Sequence, residues 1–579
     1  MTDTVESSGG PGDDEIKPYR IHVSSKYLDL TKRKLELTRL PHEVPKPTSA
    51  DWWEPKPQVE PLIDFWMEQY SWRQKEEELN EKLPQFRINI SVPDAETPVR
   101  IHFIHVRSPR PAAVPLLLLP PFPFTNLSLG HLVKLFTEPE DVDNGQPFHL
   151  VIPALPGLGF SDALPSSASA ISATTDILNT LMTRMTYPRY LVSNTGPASS
   201  SPAEIDWQLA NQLANQYPSS CLGTHLIQPP LAAPKPQSAP WEWAKWKLAK
   251  FFHAPILGYE KADFAALSRR AAGSPSLRGP NAGATTNEKK DATTTPSQFG
   301  LHKVGVLEPN TLAYALCDSP VGLLVFALKS LRTLGPRADF TPADIVTLAM
   351  LAWLPGPEAA LRFWAHCVGR QAEARSEHTR PRVAITVFLG DEEEAGVREG
   401  DVEMANMPRP AASVYSCPGW ANSGYAVVHT NRAPGEPGLL AWERPEIIVS
   451  GVTALAKRIL AQDARLRPAK EPETAPLDGV AVVQEVIAPA AARADEEAGS
   501  QTTAPESKIP GTIPLSQLLQ PPGPTQGIPG TSRRSSDLKD GGLDLDSATS
   551  PDTLVVTPPE AFAKAITPDE KENKDVTPL

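Results

Sequence analysis

Cysteine is scarce in this chain and never paired: only Cys221, Cys317, Cys367 and Cys417 occur in 579 residues, far apart and without a CxxC spacing. Such spacing supplies neither a disulfide framework nor a zinc site, so a reducing, cytoplasmic compartment is expected. No metal or cofactor is expected either. Long apolar runs are lacking as well. Residues 114–119 form the strongest run, which is strand-sized and well short of the roughly 18 apolar residues that cross a bilayer. The first fifteen residues, MTDTVESSGGPGDDE, have neither the basic nor the apolar part of a signal peptide, so a soluble chain without a transmembrane segment is expected. Clustered positive charge is missing too. Lys and Arg number 55 against 68 Asp and Glu, a formal charge of −13, which argues against a nucleic-acid partner. Short basic runs such as Lys32-Arg33-Lys34 read as solvated helix faces.

What is present suggests a large folded body with additions. Apolar residues make up 40% of the chain and include 12 tryptophans, enough for a sizeable core. The 64 prolines are well above the usual share of about 5%, and they gather in a few stretches. Residues 32–40 have helical periodicity, a proline-rich arm follows (PHEVPKPTSADWWEPKP), and residues 61–83 read as one or two amphipathic helices. Residues 86–90 and 100–106 alternate like strands. Apolar runs at 114–119, 149–153 and 190–193 then alternate with helical stretches, the pattern of a mostly parallel sheet covered on both faces.

The middle of the chain changes character. Residues 241–266 and 309–367 are helical and apolar, and the segment SPSLRGPNAGATTNEKKDATTTPS between them has almost no large apolar residue. Strands are expected again at 383–388 and 414–416, with a closing helix at 445–460. The outline is an α/β-hydrolase fold with a helical lid inserted into the sheet. Beyond about residue 466, Pro, Ala, Thr, Ser and acids dominate, a composition that cannot offset its ordering entropy by burial. Ser-Pro and Thr-Pro pairs and Arg533-Arg534-Ser535-Ser536 are phosphorylatable, although a solvated tail is the simpler reading. The expected organisation is therefore a disordered 1–15, an N-terminal domain over 16–110, core halves over 111–235 and 376–465, a lid over 236–375 with a disordered insert at 272–298, and a disordered tail over 466–579.

Several phrases carry a family resemblance. Residues 16–21 (IKPYRI), 36–41 (ELTRLP), 70–86 (YSWRQKEEELNEKLPQF) and 101–108 (IHFIHVRS) resemble the N-terminal domain of microsomal-type epoxide hydrolases. PFHLVIPALPGLGFSD (147–162), EPNTLAYALCDSPVGL (308–323) and ERPEIIV (443–449) extend the match over roughly residues 16–460. The resemblance implies an α/β-hydrolase that opens epoxides to diols. A carboxylate attacks the epoxide and forms an ester, a His–acid pair activates water to cleave it, two lid tyrosines assist ring opening, and backbone amides hold the oxyanion.

Carried over position by position, that machinery is altered. Where the family reads His-Gly-Trp-Pro-Gly-Ser, this chain has Pro120-Pro121-Phe122-Pro123-Phe124-Thr125, so the oxyanion loop has lost both glycines and depends on the amide of Phe122 or Phe124. Counting forward from residues 190–193 puts the nucleophile at Thr195, and counting back from His225-Leu226 puts it at Glu204. A serine elbow centred on Ser199 is a further option. Asp391 matches the acid position, although Glu392, Glu393 and Glu394 beside it equally describe a solvated turn. The base position is Gly438, which cannot accept a proton, and His429 lies nine residues earlier. The lid tyrosine positions hold Leu301 and Trp364, with Tyr259 and Tyr314 as distant candidates that read better as core residues.

Loss of a nucleophile or base costs orders of magnitude in rate. The expectation is therefore a catalytically impaired, epoxide-hydrolase-like protein, a pseudoenzyme with an apolar pocket for a small molecule or epoxide lined by Phe122, Phe124, Leu301, Trp353 and Trp364. Two rivals stay open. One is an active epoxide or ester hydrolase using Glu204 or a serine with His429, and the other is a scaffold whose tail recruits protein partners.

Overall fold

Nine strands form one sheet in the order β1-β2-β3-β5-β4-β6-β7-β8-β9. The computed structural model describes residues 15–42, 55–272, 308–334, 340–368, 380–390 and 415–466, apart from short gaps at 94, 142–144, 166–167, 199–200, 202–203 and 254. All lie in the first of two units of the chain, Met1–Pro522; no residue of the second, Gly523–Leu579, is described. The strands are β1 (Lys17–Pro18), β2 (Gln85–Ile90), β3 (Val99–Val106), β4 (Val114–Leu119), β5 (Phe148–Pro153), β6 (Tyr190–Asn194), β7 (Cys221–Ile227), β8 (Arg382–Phe388) and β9 (Ala426–Ala433). From β5 to β9 every neighbouring pair is parallel, while β1, β2 and β3 add an antiparallel edge. This is the α/β-hydrolase arrangement.

Strand alternation divides the core between the two faces of the sheet. On β4, Leu116 and Leu118 belong to one apolar cluster and Leu117 and Leu119 to the other, all fully buried. The helices before and within the sheet are α1 (Ser25–Glu36), α2 (Lys56–Glu68), α3 (Trp72–Lys82), α4 (Val133–Thr137), α5 (Ala170–Arg184) and α6 (Ile205–Gln216). The inserted lid supplies α7 (Pro240–Phe252), α8 (Lys261–Ala272), α9 (Pro309–Asp318), α10 (Pro320–Leu334), α11 (Pro342–Trp353) and α12 (Glu358–Val368), and α13 (Leu440–Glu443) and α14 (Pro445–Gln462) close the chain. No single described helix is long and apolar enough to cross a membrane.

Local signals explain several helix starts. Thr341 and Asp344 form a reciprocal cap at α11, each accepting the other's backbone amide at 3.2 and 3.0 Å, and Pro342 occupies the first turn. The N-terminal segment is tied down by side chains: Asn80 bonds both backbone groups of Ile21, and Glu76 accepts from the Val23 amide and the Trp72 indole. It also clasps the lid, because Tyr70 meets Thr347 at 3.0 Å and Trp353 donates to Thr31 at 2.8 Å.

Four sequence expectations are corrected here. The first helix spans Ser25–Glu36 rather than 32–40, because the 37–40 segment leaves the core and exposes Leu37. Residues 415–417 belong to no strand, and the last strand is β9, an edge strand that is half-buried along almost its whole length and so has little periodicity. Strand β7 was not foreseen, since Gly223, Thr224 and His225 interrupt its apolar run. Tyr314 is 84% exposed on α9 and is no core residue. The 272–298 insert (but for Ala272, the end of α8), the tail beyond Leu466 and nearly all of residues 1–15 lie outside the described residues.

His225 shows why one glycine of α14 has no tolerance. Its ring bridges three strands, with Nδ1 2.9 Å from Ser193 Oγ and Nε2 2.9 Å from Thr386 Oγ1, and burial holds its pKa down at about 3. A Cβ on Gly451 would lie 2.2 Å from that Nε2. Gly451→Ala is expected to cost about 1–3 kcal/mol through overpacking, read as a lower melting temperature. An unchanged value would show that the ring is free to move.

Candidate active site

Four chain segments converge at the carboxyl ends of β4, β6, β8 and β9. The first is the loop after β4. The Phe122 amide, which occupies the expected oxyanion-donor position, donates to Asp206 Oδ1 at 3.1 Å, and the Phe124 amide donates to Pro121 O at 2.8 Å. Both candidate donors are therefore engaged within the chain.

The second segment is the turn between β6 and α6. Thr195 is fully buried, and its hydroxyl donates to Leu119 O at 2.8 Å, closing the end of β4 against β6. Glu204 stands at the start of α6 with a left-handed backbone (φ 54°, ψ 33°), and burial raises its carboxyl pKa. Positive φ is uncommon for a residue with a side chain and marks a sharp turn. Ser199 lies outside the described residues.

Sequence reading passed over the residue that matters most at this turn. Asp206 is fully buried in the first turn of α6, and its Oδ1 accepts from the Phe122 amide and from Ser201 Oγ at 2.9 Å. Its Oδ2 has no partner among the described residues. Burial pushes its pKa up to about 7 against the opposing effect of those hydrogen bonds. In sequence Asp206 looks like an ordinary first-turn acid favoured by the helix dipole. Only the approach of the β4 loop makes it part of a site.

The third and fourth segments follow β8 and β9 and lie side by side. Leu389 N donates to Ala433 O at 2.9 Å and Gly390 N to Gly435 O at 3.1 Å. Asp391 itself lies outside the described residues, as does Leu301. Gly438 adopts φ +60°, and a Cβ there would sit 2.1 Å from a Glu443 carboxylate oxygen. The left-handed backbone at the expected base position therefore favours glycine. Next to it Trp442 packs on Phe124 with ring centroids 5.1 Å apart. His429 lies within β9 opposite Ala384, and its ring bonds none of Thr195, Glu204 and Asp206. Burial, aided by Arg458, lowers its pKa.

Beneath the lid is a pocket of about 100 Å³ lined by Phe122, Phe124, Leu323, Phe326, Leu351 and Trp364, among others. Three of the five expected lining residues are therefore in place. Trp353 is not, because its indole is directed to Thr31 of α1. Tyr259 is buried, but against Trp246 and the backbone of Gly419, away from the pocket lining.

Residues 16–129 match the family model described as "Epoxide hydrolase N terminus". Residues 16–129 thus carry an epoxide hydrolase N-terminal domain, and the chain is similar to epoxide hydrolases well beyond it. A relative in Stigmatella aurantiaca is 28% identical over 254 residues, covering 42% of this chain and 53% of its own length. Juvenile hormone epoxide hydrolase 1 of Ctenocephalides felis is 24% identical over 335 residues, covering 56% and 62%, and epoxide hydrolase 1 of Sus scrofa is 24% identical over 403 residues, covering 65% and 79%. The chain thus spans little more than half the length of the first two. The crystal structure of juvenile hormone epoxide hydrolase from Bombyx mori superposes with a TM-score of 0.53 at 19% identity, covering 78% of this chain and 96% of that one. The likeness at that identity is one of fold.

Proposed function

We propose that this epoxide-hydrolase-like α/β-hydrolase binds an apolar small molecule, an epoxide among them, under its lid without turning it over. The Phe122–Asp206 hydrogen bond carries the reading: the amide that would stabilise a developing oxyanion is already taken by an internal carboxylate. Gly438 at the base position adds to it, because no side chain there can activate water. An almost wholly apolar pocket with few polar groups suits binding better than proton transfer.

A panel of aryl and alkyl epoxides tests this directly. No diol is expected from the wild type or from Gly438→His, since the left-handed backbone strains any side chain there and an imidazole would have to displace the Glu443 carboxylate. An apolar ligand at a hundredfold excess over its Kd would stabilise the fold by about 2.7 kcal/mol, seen as a raised melting temperature that Ala327→Leu, which fills the pocket from its α10 wall, abolishes. Diol formation by the wild type, or no stabilisation by any ligand, would overturn the reading.

One observation favours a second reading, an enzyme with a relocated nucleophile: Asp206 Oδ2 is unengaged while Oδ1 is held by an amide. In that case Oδ2 bonds to an epoxide carbon, the ring C–O bond breaks, and the carboxyl proton passes to the released oxygen to give a hydroxy ester. An intact-mass increase of one epoxide, absent in Asp206→Asn, supports it; an unchanged mass removes it.

A further inference from the structure

Helix α7 has two apolar faces where one would suffice. At 100° per residue, Trp246 and Ala249 share the inward side, and Trp246 packs against Tyr259, Phe264 and Trp420 with ring centroids 5.3–6.0 Å apart. Trp241, Ala244, Leu248, Phe251 and Phe252 share the opposite side. Of these, Trp241, Phe251 and Phe252 are 71%, 79% and 60% exposed, and Leu257 in the following turn extends the surface. Five of the eleven large apolar side chains exposed among the described residues fall within 241–257. Single exposed apolar residues need no explanation, whereas a contiguous stripe marks an interaction surface.

The charges beside the stripe favour one occupant. Residues 240–252 carry three lysines and one glutamate, a local +2 on a chain of −13. Lys245 pairs with Glu242 at 2.8 Å. Lys247 borders the stripe, is exposed and has no carboxylate partner among the described residues, with its ammonium group 5.8 Å from the Trp243 ring, whereas Lys250 lies on the inward side over Trp246 at 5.9 Å. The nearby acids are spent, since Asp263 and Glu260 both pair with Arg432. A second copy docked face to face would oppose like charges. A tryptophan- and phenylalanine-rich helix face flanked by lysines has the chemistry of a helix lying in a lipid headgroup layer.

We propose that α7 and Leu257 dock this protein on an anionic phospholipid surface, with Trp241, Leu248, Phe251 and Phe252 entering the headgroup layer and Lys247, at the border of the stripe, meeting lipid phosphates. The full chain is floated with phosphatidylcholine vesicles, with and without phosphatidylserine. Binding is expected only with phosphatidylserine and weakens with salt, as each lysine near such a surface contributes about 1 kcal/mol. Lys247→Glu, and separately the triple change Trp241→Ala, Phe251→Ala, Phe252→Ala, each weaken it at least about tenfold, with melting temperatures unchanged because all four side chains are exposed. Lys26→Glu, on α1, has no effect. Binding that survives the triple change, or no binding to either vesicle, overturns the proposal. So does a concentration-dependent dimer lost in the triple variant, which would assign the face to a second copy.

Discussion

Asp206→Asn is expected to be more stable than the wild type at pH 8, by a margin that shrinks steadily on acidification and closes only near pH 4. The folded protein holds the Asp206 proton up to about pH 7, whereas an unfolded chain releases it near 3.9. Between these values the folded state binds one proton more, so stability falls as pH rises and the penalty persists above 7. At about 1.4 kcal/mol per tenfold, it amounts to a few kcal/mol. Asparagine keeps an oxygen to accept from the Phe122 amide and the Ser201 hydroxyl, has nearly the shape of the neutral acid, and never ionises. Other groups titrate in the same window with the opposite sign. His102, His105 and His225 are held neutral with pKa values near 3, 4 and 3, chiefly by burial, and so cost stability as pH falls below about 6.5. The wild-type profile is therefore a composite, and the difference between the two proteins isolates Asp206. Melting curves from pH 4.5 to 8.5 that run parallel would mean that this carboxyl is ionised throughout.

Most of the sheet was legible because buried parallel strands have continuous apolar runs. Residues 114–119 and 148–153 are of that kind, and both lie in the centre of the sheet. β7 is equally central but hidden, because Gly223 makes room for Ile459 and Leu455 of α14 and His225 spends its ring on Ser193 and Thr386. Those are tertiary reasons that no periodicity carries. The edge strand β9 fails differently: with only β8 beside it and its side chains half-buried, neither alternation nor a continuous run is required.

Positions along the chain were easier to read than partners. Counting along the motifs puts Phe122 and Thr195 in the loops after β4 and β6 and Gly438 in the loop after β9. The same counting offered Thr195 and Glu204 as equal nucleophile candidates, and the structure separates them. Thr195 is committed to Leu119, whereas Glu204 holds the strained turn. That Asp206 two residues on would capture the Phe122 amide depends on a contact 84 residues apart in sequence, and composition says nothing about such a contact.

A second long-range carboxylate carries the largest stability effect expected. Asp263 is fully buried in the first turn of α8, where it accepts two bonds from Arg432 at 2.8 and 2.9 Å, one from the Glu260 amide at 2.8 Å and one from the Tyr415 hydroxyl. Burial alone would raise its pKa, but these donors outweigh it and the net direction is down. Its contribution is therefore complete above the ordinary aspartate range and is lost only as pH falls through the lower folded value. The cluster joins the root of the lid to the edge strand β9, and it holds the Tyr415 hydroxyl in place. Asp263→Ala would leave the Arg432 charge, which is only 7% exposed, without its buried partner, at an expected cost of about 3–5 kcal/mol. Asp263→Leu combined with Arg432→Met removes both charges at similar volume and is expected to recover most of that loss. Tyr415→Phe, which removes one donor, should cost only about 1–2 kcal/mol. The decisive comparison is the melting temperature of the double variant against Asp263→Ala. If the double variant melts no higher, the cost lies in the shape of the lid root and not in an orphaned charge.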